Sequence, residues 1–123
     1  MPIASQHQNA HALEFRAEAG KGAIYIYRQQ GAAGGRDACP VYLDGRLLGY
    51  NSPGTFLIAT VSPGPRVVSA GVSQVMVTAT AGGVYFVRAR VAINAASITS
   101  LRLVSSEEGK QGIKQCKQTA SNF

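Results

Sequence analysis

The dipeptide Asp44-Gly45 constrains the fold of this chain more than any other feature of the sequence. It separates two apolar runs, Cys39-Pro-Val-Tyr-Leu and Leu47-Leu-Gly. Asp-Gly between strand-forming residues is the strongest short-range signal for a β-hairpin, because a type I′ turn needs positive φ at both central positions. The sequence therefore predicts a tight hairpin, with strands near residues 39–44 and 46–50, and a β architecture.

The rest of the chain repeats this pattern of short strands and glycine or proline turns. Of the 123 residues, 14 are glycine and only 15% are charged, which is typical of a single, turn-rich β domain. Beyond the hairpin, strands are predicted over residues 23–29, 55–61, 66–72, 74–80, 84–94 and 97–105. About seven to eight strands with almost no helical periodicity predict an all-β fold, either an antiparallel β-sandwich or a small barrel.

One segment near the C-terminus has helical character. Ser105 or Ser106 could cap a short helix near residues 106–117. Glutamates fall in its first turn and lysines in its last turn, which matches the helix macrodipole. The predicted organisation is a flexible N-terminal arm over residues 1–20, a single domain over residues 21–118 and a tail over residues 119–123.

The net charge of +6 is spread along the chain. The only three basic residues that lie close together in sequence are Lys110, Lys114 and Lys117. Proteins that bind nucleic acid usually concentrate charge on one face among stacking aromatics, so no nucleic-acid partner is predicted. The chain has no apolar run of about 18 residues, so no transmembrane segment is expected. Residues 1–20 lack the basic start and apolar stretch of a signal peptide, so either the protein is cytosolic or a signal has been removed ahead of Met1.

Cys39 and Cys116 are far apart in the sequence and lack the close spacing of metal-ligating cysteines. In an oxidising compartment they could form a disulfide that ties the C-terminal segment to the hairpin. Otherwise Cys39 is a small core residue and Cys116 is an exposed thiol. A catalytic cysteine is not expected, because no histidine lies in the predicted folded region to activate it.

No arrangement of residues indicates an enzyme. His7 and His11 have the spacing of two metal ligands on a helix, but a polar arm is the better interpretation because no Glu or Cys accompanies them. The six acidic residues show no spacing that would place two carboxylates across a cleft. No Gly-x-Ser-x-Gly or phosphate-binding loop pattern occurs. The sequence therefore predicts no catalytic residues, no metal site, no cofactor and no enzymatic activity.

The strand over residues 84–94 offers a candidate contact surface. Alternation places Tyr85, Val87, Ala89, Val91 and Ile93 on the core face. Phe86, Arg88 and Arg90 then share the opposite face, and an aromatic beside two arginines is typical of interface hot spots. The alternative is that the arginines solvate the outer face while Phe86 packs under a loop or under the C-terminal helix.

The order of several motifs carries a family resemblance. The segments are Ala23-Ile-Tyr-Ile-Tyr-Arg28, Val41-Tyr-Leu-Asp-Gly-Arg-Leu-Leu-Gly49, Val61-Ser-Pro-Gly64, Val84-Tyr-Phe-Val-Arg88 and the Glu- and Lys-rich tail before Cys116. In this order they resemble the DUF2846 family of small bacterial proteins of unknown function. The resemblance implies a transthyretin-like β-sandwich, export across the inner membrane and a lipid anchor on a cysteine upstream of this chain. It implies no catalytic residues.

Together, the residues and the resemblance predict a non-enzymatic binding or structural module of the bacterial cell envelope, periplasmic or associated with the outer membrane. The expected partner is another envelope protein, contacted by the loops over residues 31–37 and 51–54 or by the arginine face. The alternative is an inhibitor or immunity-type protein that blocks a partner enzyme with a surface loop. The sequence does not specify the partner or the oligomeric state.

Overall fold

The structure of the protein is a computed structural model that describes residues 13–29, 38–92, 95, 97–119 and 121. This described part contains nine strands and one helix. The strands are β1 (Gly22–Arg28), β2 (Cys39–Leu43), β3 (Arg46–Asn51), β4 (Thr55–Val61), β5 (Gly64–Ala70), β6 (Ser73–Ala79), β7 (Val84–Arg90), β8 (Ser100–Val104) and β9 (Lys117–Gln118). The helix is α1 (Ser106–Lys114).

The Asp44-Gly45 hairpin forms as predicted. Asp44 has a φ of 51° and Gly45 a φ of 81°, so both central residues adopt the left-handed conformation of a type I′ turn. Leu43 and Arg46 face each other as the pair that closes the turn between β2 and β3.

The strands form two sheets that pack face to face, which confirms the predicted β-sandwich. One sheet has the order β8-β7-β1-β4-β9 and the other has the order β3-β2-β5-β6. Most neighbours are antiparallel, but β1 pairs with β7 and β4 pairs with β9 in parallel. The expectation of a wholly antiparallel sandwich is wrong at these two pairs. The chain reaches β7 from β1 only after it has built the second sheet, so no hairpin dictates an antiparallel direction.

Two layers of apolar side chains stabilise this arrangement. The first layer lies between the two sheets and the second lies between the five-stranded sheet and α1. Every residue of β1 is buried, because its alternate side chains face the two layers. The buried residues of the second layer are Ala23, Tyr25, Tyr27, Phe56, Phe86, Ile113 and Cys116.

Helix α1 begins as predicted and ends early. Ser105 is its N-cap, and the Ser105 hydroxyl accepts a hydrogen bond from the backbone N–H of Glu108 at 3.2 Å. The helix ends at Lys114 rather than near residue 117. The reason is that the backbone N–H of Lys117 donates to the C=O of Gly54 at 2.9 Å, which starts the pairing of β9 with β4.

The residues after β9 form backbone interactions with both sheets. The backbone N–H of Thr119 donates to the C=O of Phe56 in β4 at 2.9 Å. Ser121 forms an antiparallel bridge with Gly49 of β3. The described part of the predicted tail therefore connects the edges of the two sheets.

The described part of the predicted N-terminal arm lies against the second layer. The ring of Phe15 packs on Tyr25 and Phe86, with centroid separations of 5.5 and 5.7 Å. His7 and His11 lie outside the described residues, as does the loop over residues 31–37. Among the described residues, no group of three or more His, Cys, Asp or Glu side chains could hold a metal ion. No helix of this part is long and apolar enough to cross a membrane.

Candidate functional site

Phe86 of the predicted contact surface is buried. It is 1% exposed and lies in the second layer beneath α1. The helix approaches so closely that a Cβ added to Gly109 would overlap with the Phe86 ring. The expected exposure of Phe86 is therefore wrong, and the alternative, in which it packs under the C-terminal helix, is confirmed.

Arg88 and Arg90 differ in their surroundings. The Nη1 of Arg88 donates to Oε2 of Glu108 at 2.5 Å, and the Arg88 side chain is only 15% exposed. Arg90 is exposed at the end of β7. Arg102 of β8 faces Arg88 across the strand pair. The structure therefore places three arginines on this face, whereas α1 buries Phe86, and partner binding by Arg88 and Arg90 stays a prediction.

Cys39 and Cys116 are free thiols rather than a disulfide, and both are buried. Both contact Arg28. The Nη1 of Arg28 donates to Sγ of Cys39 at 3.8 Å, and Sγ of Cys116 donates to the backbone C=O of Arg28 at 3.7 Å. The expected exposure of Cys116 is also wrong. Burial raises the pKa of the Cys116 thiol to about 11, so the thiol stays protonated at neutral pH and is a poor nucleophile.

A buried polar cluster surrounds Arg28 at the end of β1. Arg28 is 4% exposed, and its Nη1 also donates to the backbone C=O of Asn51 at 3.4 Å. Asn51 is fully buried, and its Nδ2 donates to the C=O of Thr55 at 3.1 Å. The Oδ1 of Asn51 has no hydrogen-bond partner among the described residues. The cluster joins strands from both sheets and holds them together at this end of the sandwich.

A cavity of about 160 Å³ lies at the opposite end, between the Asp44-Gly45 turn and β4. It is lined by Leu43, Asp44, Arg46, Thr60, Val61, Ser62 and Arg66. The backbone N–H of Val67 donates to Asp44 Oδ1 at 2.9 Å, and Nη1 of Arg66 donates to Oδ2 at 3.1 Å. These two hydrogen bonds hold the pKa of Asp44 below its ordinary value. Asp44 is therefore ionised and joins the turn to β5.

Among the described residues, the strands of the four-stranded sheet place no charged side chain on its outer face. The two arginines of its strands, Arg46 and Arg66, line the cavity instead. Tyr42, Tyr50 and Met76 on this face are 37%, 45% and 62% exposed. Strand register and burial place Pro40, Tyr42, Leu47, Tyr50, Pro65, Val67, Ser69, Gln74, Met76 and Thr78 together here, and we call this surface the neutral face.

Comparison with known proteins identifies a family. The sequence profile of a family described as "Protein of unknown function (DUF2846)" matches residues 18–100. The chain belongs to this family. The match runs from just before β1 to the first residue of β8, so α1 and β9 of this DUF2846 protein lie outside the matched residues. No curated protein and no solved structure matches the chain.

The neutral face of this DUF2846 protein was not among the surfaces predicted from the sequence. The sequence did contain a signal for this uncharged surface. The alternate positions Gln74, Met76 and Thr78 of β6 are all uncharged. The same holds for Pro40 and Tyr42 of β2. Uncharged residues at positions that alternation assigns to solvent are informative only once the sheet order shows that these strands share one surface.

Proposed function

We propose that this protein is a non-enzymatic binding module of the bacterial cell envelope, and that its neutral face contacts another envelope protein. The observation that carries the proposal is the contrast between the two outer faces of the sandwich. Helix α1 and Phe15 cover the outer face of the five-stranded sheet. Tyr42, Tyr50 and Met76 remain exposed on the outer face of the other sheet.

The composition of the neutral face suits a protein partner. Tyrosine and methionine are enriched at the cores of protein interfaces, and charged residues are depleted there. The chain carries a net charge of +6, yet each described residue that forms the neutral face is uncharged. We therefore expect the partner to present an uncharged surface of apolar and hydroxyl groups, because a charged partner surface would be desolvated here without compensation.

The state of the ionisable groups supports a non-enzymatic role. Both thiols are buried, and Cys116 is protonated at neutral pH. The Asp44 carboxylate accepts hydrogen bonds from Val67 and Arg66, and the Glu108 carboxylate accepts one from Arg88. These candidate nucleophiles and acids serve the fold, which favours binding over catalysis.

The envelope location is proposed from the family resemblance. Many members look like exported lipoproteins, which suggests a periplasmic or outer-membrane-associated protein whose lipid anchor lies on a cysteine upstream of this chain. A module of this kind would present its neutral face to a neighbouring envelope component.

A photoreactive amino acid placed at Tyr42 in the bacterium that produces the protein tests the proposal. We expect a crosslinked product that contains an envelope protein, because Tyr42 is half-exposed on the neutral face. The same photoreactive residue at Gln111, an exposed position of α1, is the matched control. Equal capture from both positions, or capture of cytosolic proteins alone, would contradict the proposal.

The same experiment addresses the alternative function as an inhibitor or immunity-type protein. In that case the captured protein is an enzyme, and its activity falls when the purified DUF2846 chain is added. A captured envelope protein without catalytic activity supports the binding module instead.

A further inference from the structure

Edge strands of a sheet expose backbone N–H and C=O groups, and proteins usually protect them against pairing with other chains. Three of the four edges among the described residues have such protection. β3 contains a bulge, and its Gly49 is bridged by Ser121. β8 carries the charged Arg102. β9 is only two residues long.

β6 is an edge strand without these protections. It contains no charged residue and no proline, and its pairing with β5 runs from end to end without a bulge. In the described part of the chain β6 pairs with β5 alone. A long, regular and uncharged edge of this kind is a template for a further strand.

The turn before β6 shows which of its backbone groups point outward. β5 and β6 are joined by two residues, the first of which, Gly71, has a φ of 56°, as in a type II′ turn. The pair that closes such a hairpin is hydrogen-bonded, and hydrogen-bonded pairs then alternate along the ladder. The backbone N–H and C=O groups of Gln74, Met76 and Thr78 therefore point away from β5.

The centre of β6 has the symmetry needed to pair with itself. Gln74-Val-Met-Val-Thr78 reads as polar, Val, Met, Val, polar in both directions. In an antiparallel pairing centred on Met76, Met76 faces itself and Gln74 faces Thr78 of the other copy. Val75 faces Val77 of the other copy. The outward backbone groups then meet in register, and each facing pair that contains them exchanges two hydrogen bonds.

We propose that β6 pairs antiparallel with β6 of a second copy of this chain, centred on Met76, and joins the two four-stranded sheets into one. The arrangement is isologous, as expected for a two-fold dimer. Charge favours this edge as well. Two chains that each carry +6 repel each other, and β6 brings no charged side chain opposite another.

The proposed dimer would extend the neutral face from one copy to the other. Its formation does not require the neutral face to bind a partner protein. Met76 and Thr78 belong to both the edge and the neutral face, so pairing makes the neutral faces of the two copies continuous. The pairing rests on the backbone and symmetry of β6. A monomeric protein could still bind a partner through Tyr42, and a dimer could exist without one, so the two proposals fail separately.

Sedimentation velocity tests the pairing. Protein concentrations from about 1 to about 500 μM cover the weak association that is expected of a small interface. We expect a concentration-dependent dimer. Met76→Lys places two ammonium groups opposite each other across the two-fold axis and should raise the dissociation constant about fivefold. Gln111→Lys adds the same charge at an exposed site of α1, outside the neutral face, and should leave the dissociation constant unchanged. A protein that is monomeric throughout, or a dimer that Met76→Lys leaves intact, overturns the proposal.

Oxidative crosslinking tests the register. In the proposed pairing the two Met76 Cα atoms are about 5.5 Å apart, so Met76→Cys should form a covalent dimer under mild oxidation. The two copies of Gln74 are offset by about 13 Å along the strands, so Gln74→Cys should not. Wild-type protein, whose thiols are buried, is the control for disulfides through Cys39 or Cys116. Crosslinking of Gln74→Cys but not Met76→Cys would contradict the register.

Discussion

Asp44 serves the fold in two ways. Its φ of 51° is part of the type I′ turn, and its carboxylate accepts hydrogen bonds from the N–H of Val67 and from Arg66. The turn role follows from the Asp-Gly dipeptide, whereas the second role needs β5 as the neighbour of β2. These hydrogen bonds favour the ionised carboxylate, which is why the pKa of Asp44 is lowered.

Asp44→Asn should change how stability depends on pH. A lowered pKa in the folded state stabilises the fold above the ordinary value of 3.8, and this contribution is lost as pH falls through the folded pKa. Asn keeps the left-handed turn, so the variant should be slightly less stable than wild type near pH 7, and the difference in stability should narrow as the pH falls below 3.8. Thermal unfolding from about pH 7 to about pH 2 measures this. Glu107→Gln is the control for losing an exposed carboxylate, and a pH-independent difference for Asp44→Asn would contradict the prediction.

Two glycines of α1, Gly109 and Gly112, let the helix pack closely on the five-stranded sheet. Glycine is nevertheless unfavourable within a helix. Gly109 lies on the ring of Phe86, and Gly112 lies on the ring of Tyr27. Glycine costs about 1 kcal/mol in a helix relative to alanine. The structure explains the cost, because only glycine lets the helix backbone approach the two rings this closely.

Gly109→Ala and Gly112→Ala should therefore destabilise the protein although alanine is the better helix former. An added Cβ would overlap with Phe86 or Tyr27. The Cβ would lie 2.1 Å from the Phe86 ring or 2.3 Å from the Tyr27 ring. We therefore expect a cost in the upper part of the roughly 1–3 kcal/mol range of overpacking, which outweighs the gain of about 1 kcal/mol in helix propensity. Urea unfolding with an unchanged slope measures the effect. Gln111→Ala, at an exposed site of the same helix, should be neutral within about 0.5 kcal/mol. Stabilisation by either glycine variant would show that α1 does not pack this closely.

At the scale of the whole molecule, the accessibility of the two buried thiols depends on the packing of the two sheets and α1. Cys39 belongs to the four-stranded sheet, and Cys116 follows α1 in the second layer. Both contact Arg28, so neither becomes accessible unless this end of the sandwich opens. Local opening of a packed core end requires a large part of the free energy of global unfolding.

Thiol labelling should therefore be slow in the native protein and complete in the unfolded one. In denaturant without reductant we expect both thiols to react, because they are not bonded to each other. Reducing agent should leave the melting temperature unchanged. A thiol introduced as Gln111→Cys at an exposed helix position is the control for rapid labelling. Absence of free thiols in denaturant, or rapid labelling of the native wild type, would contradict the structure.

Much of the fold was predictable because its signals are local. The Asp44-Gly45 turn, the Ser105 cap and the core side of β7 depend on φ preferences, on one hydrogen bond and on alternation, all of which act within a few residues. The burial of Phe86 beneath α1 could not be predicted in the same way. Alternation assigned it correctly to the other face of β7, but the helix that covers this face packs there through tertiary contacts.

The sequence by itself determined the strands and their turns, because turn residues and alternation act locally, and the order of its motifs indicated the family and with it a β-sandwich. The tertiary structure alone decided the parallel pairing of β1 with β7, the burial of Cys39 and Cys116 as free thiols, and the burial of Phe86 beneath α1. It also assembled the neutral face and left β6 as an edge. The physical reason is that the order of strands in a sheet depends on contacts between distant segments, and a pattern within one strand does not encode its neighbour.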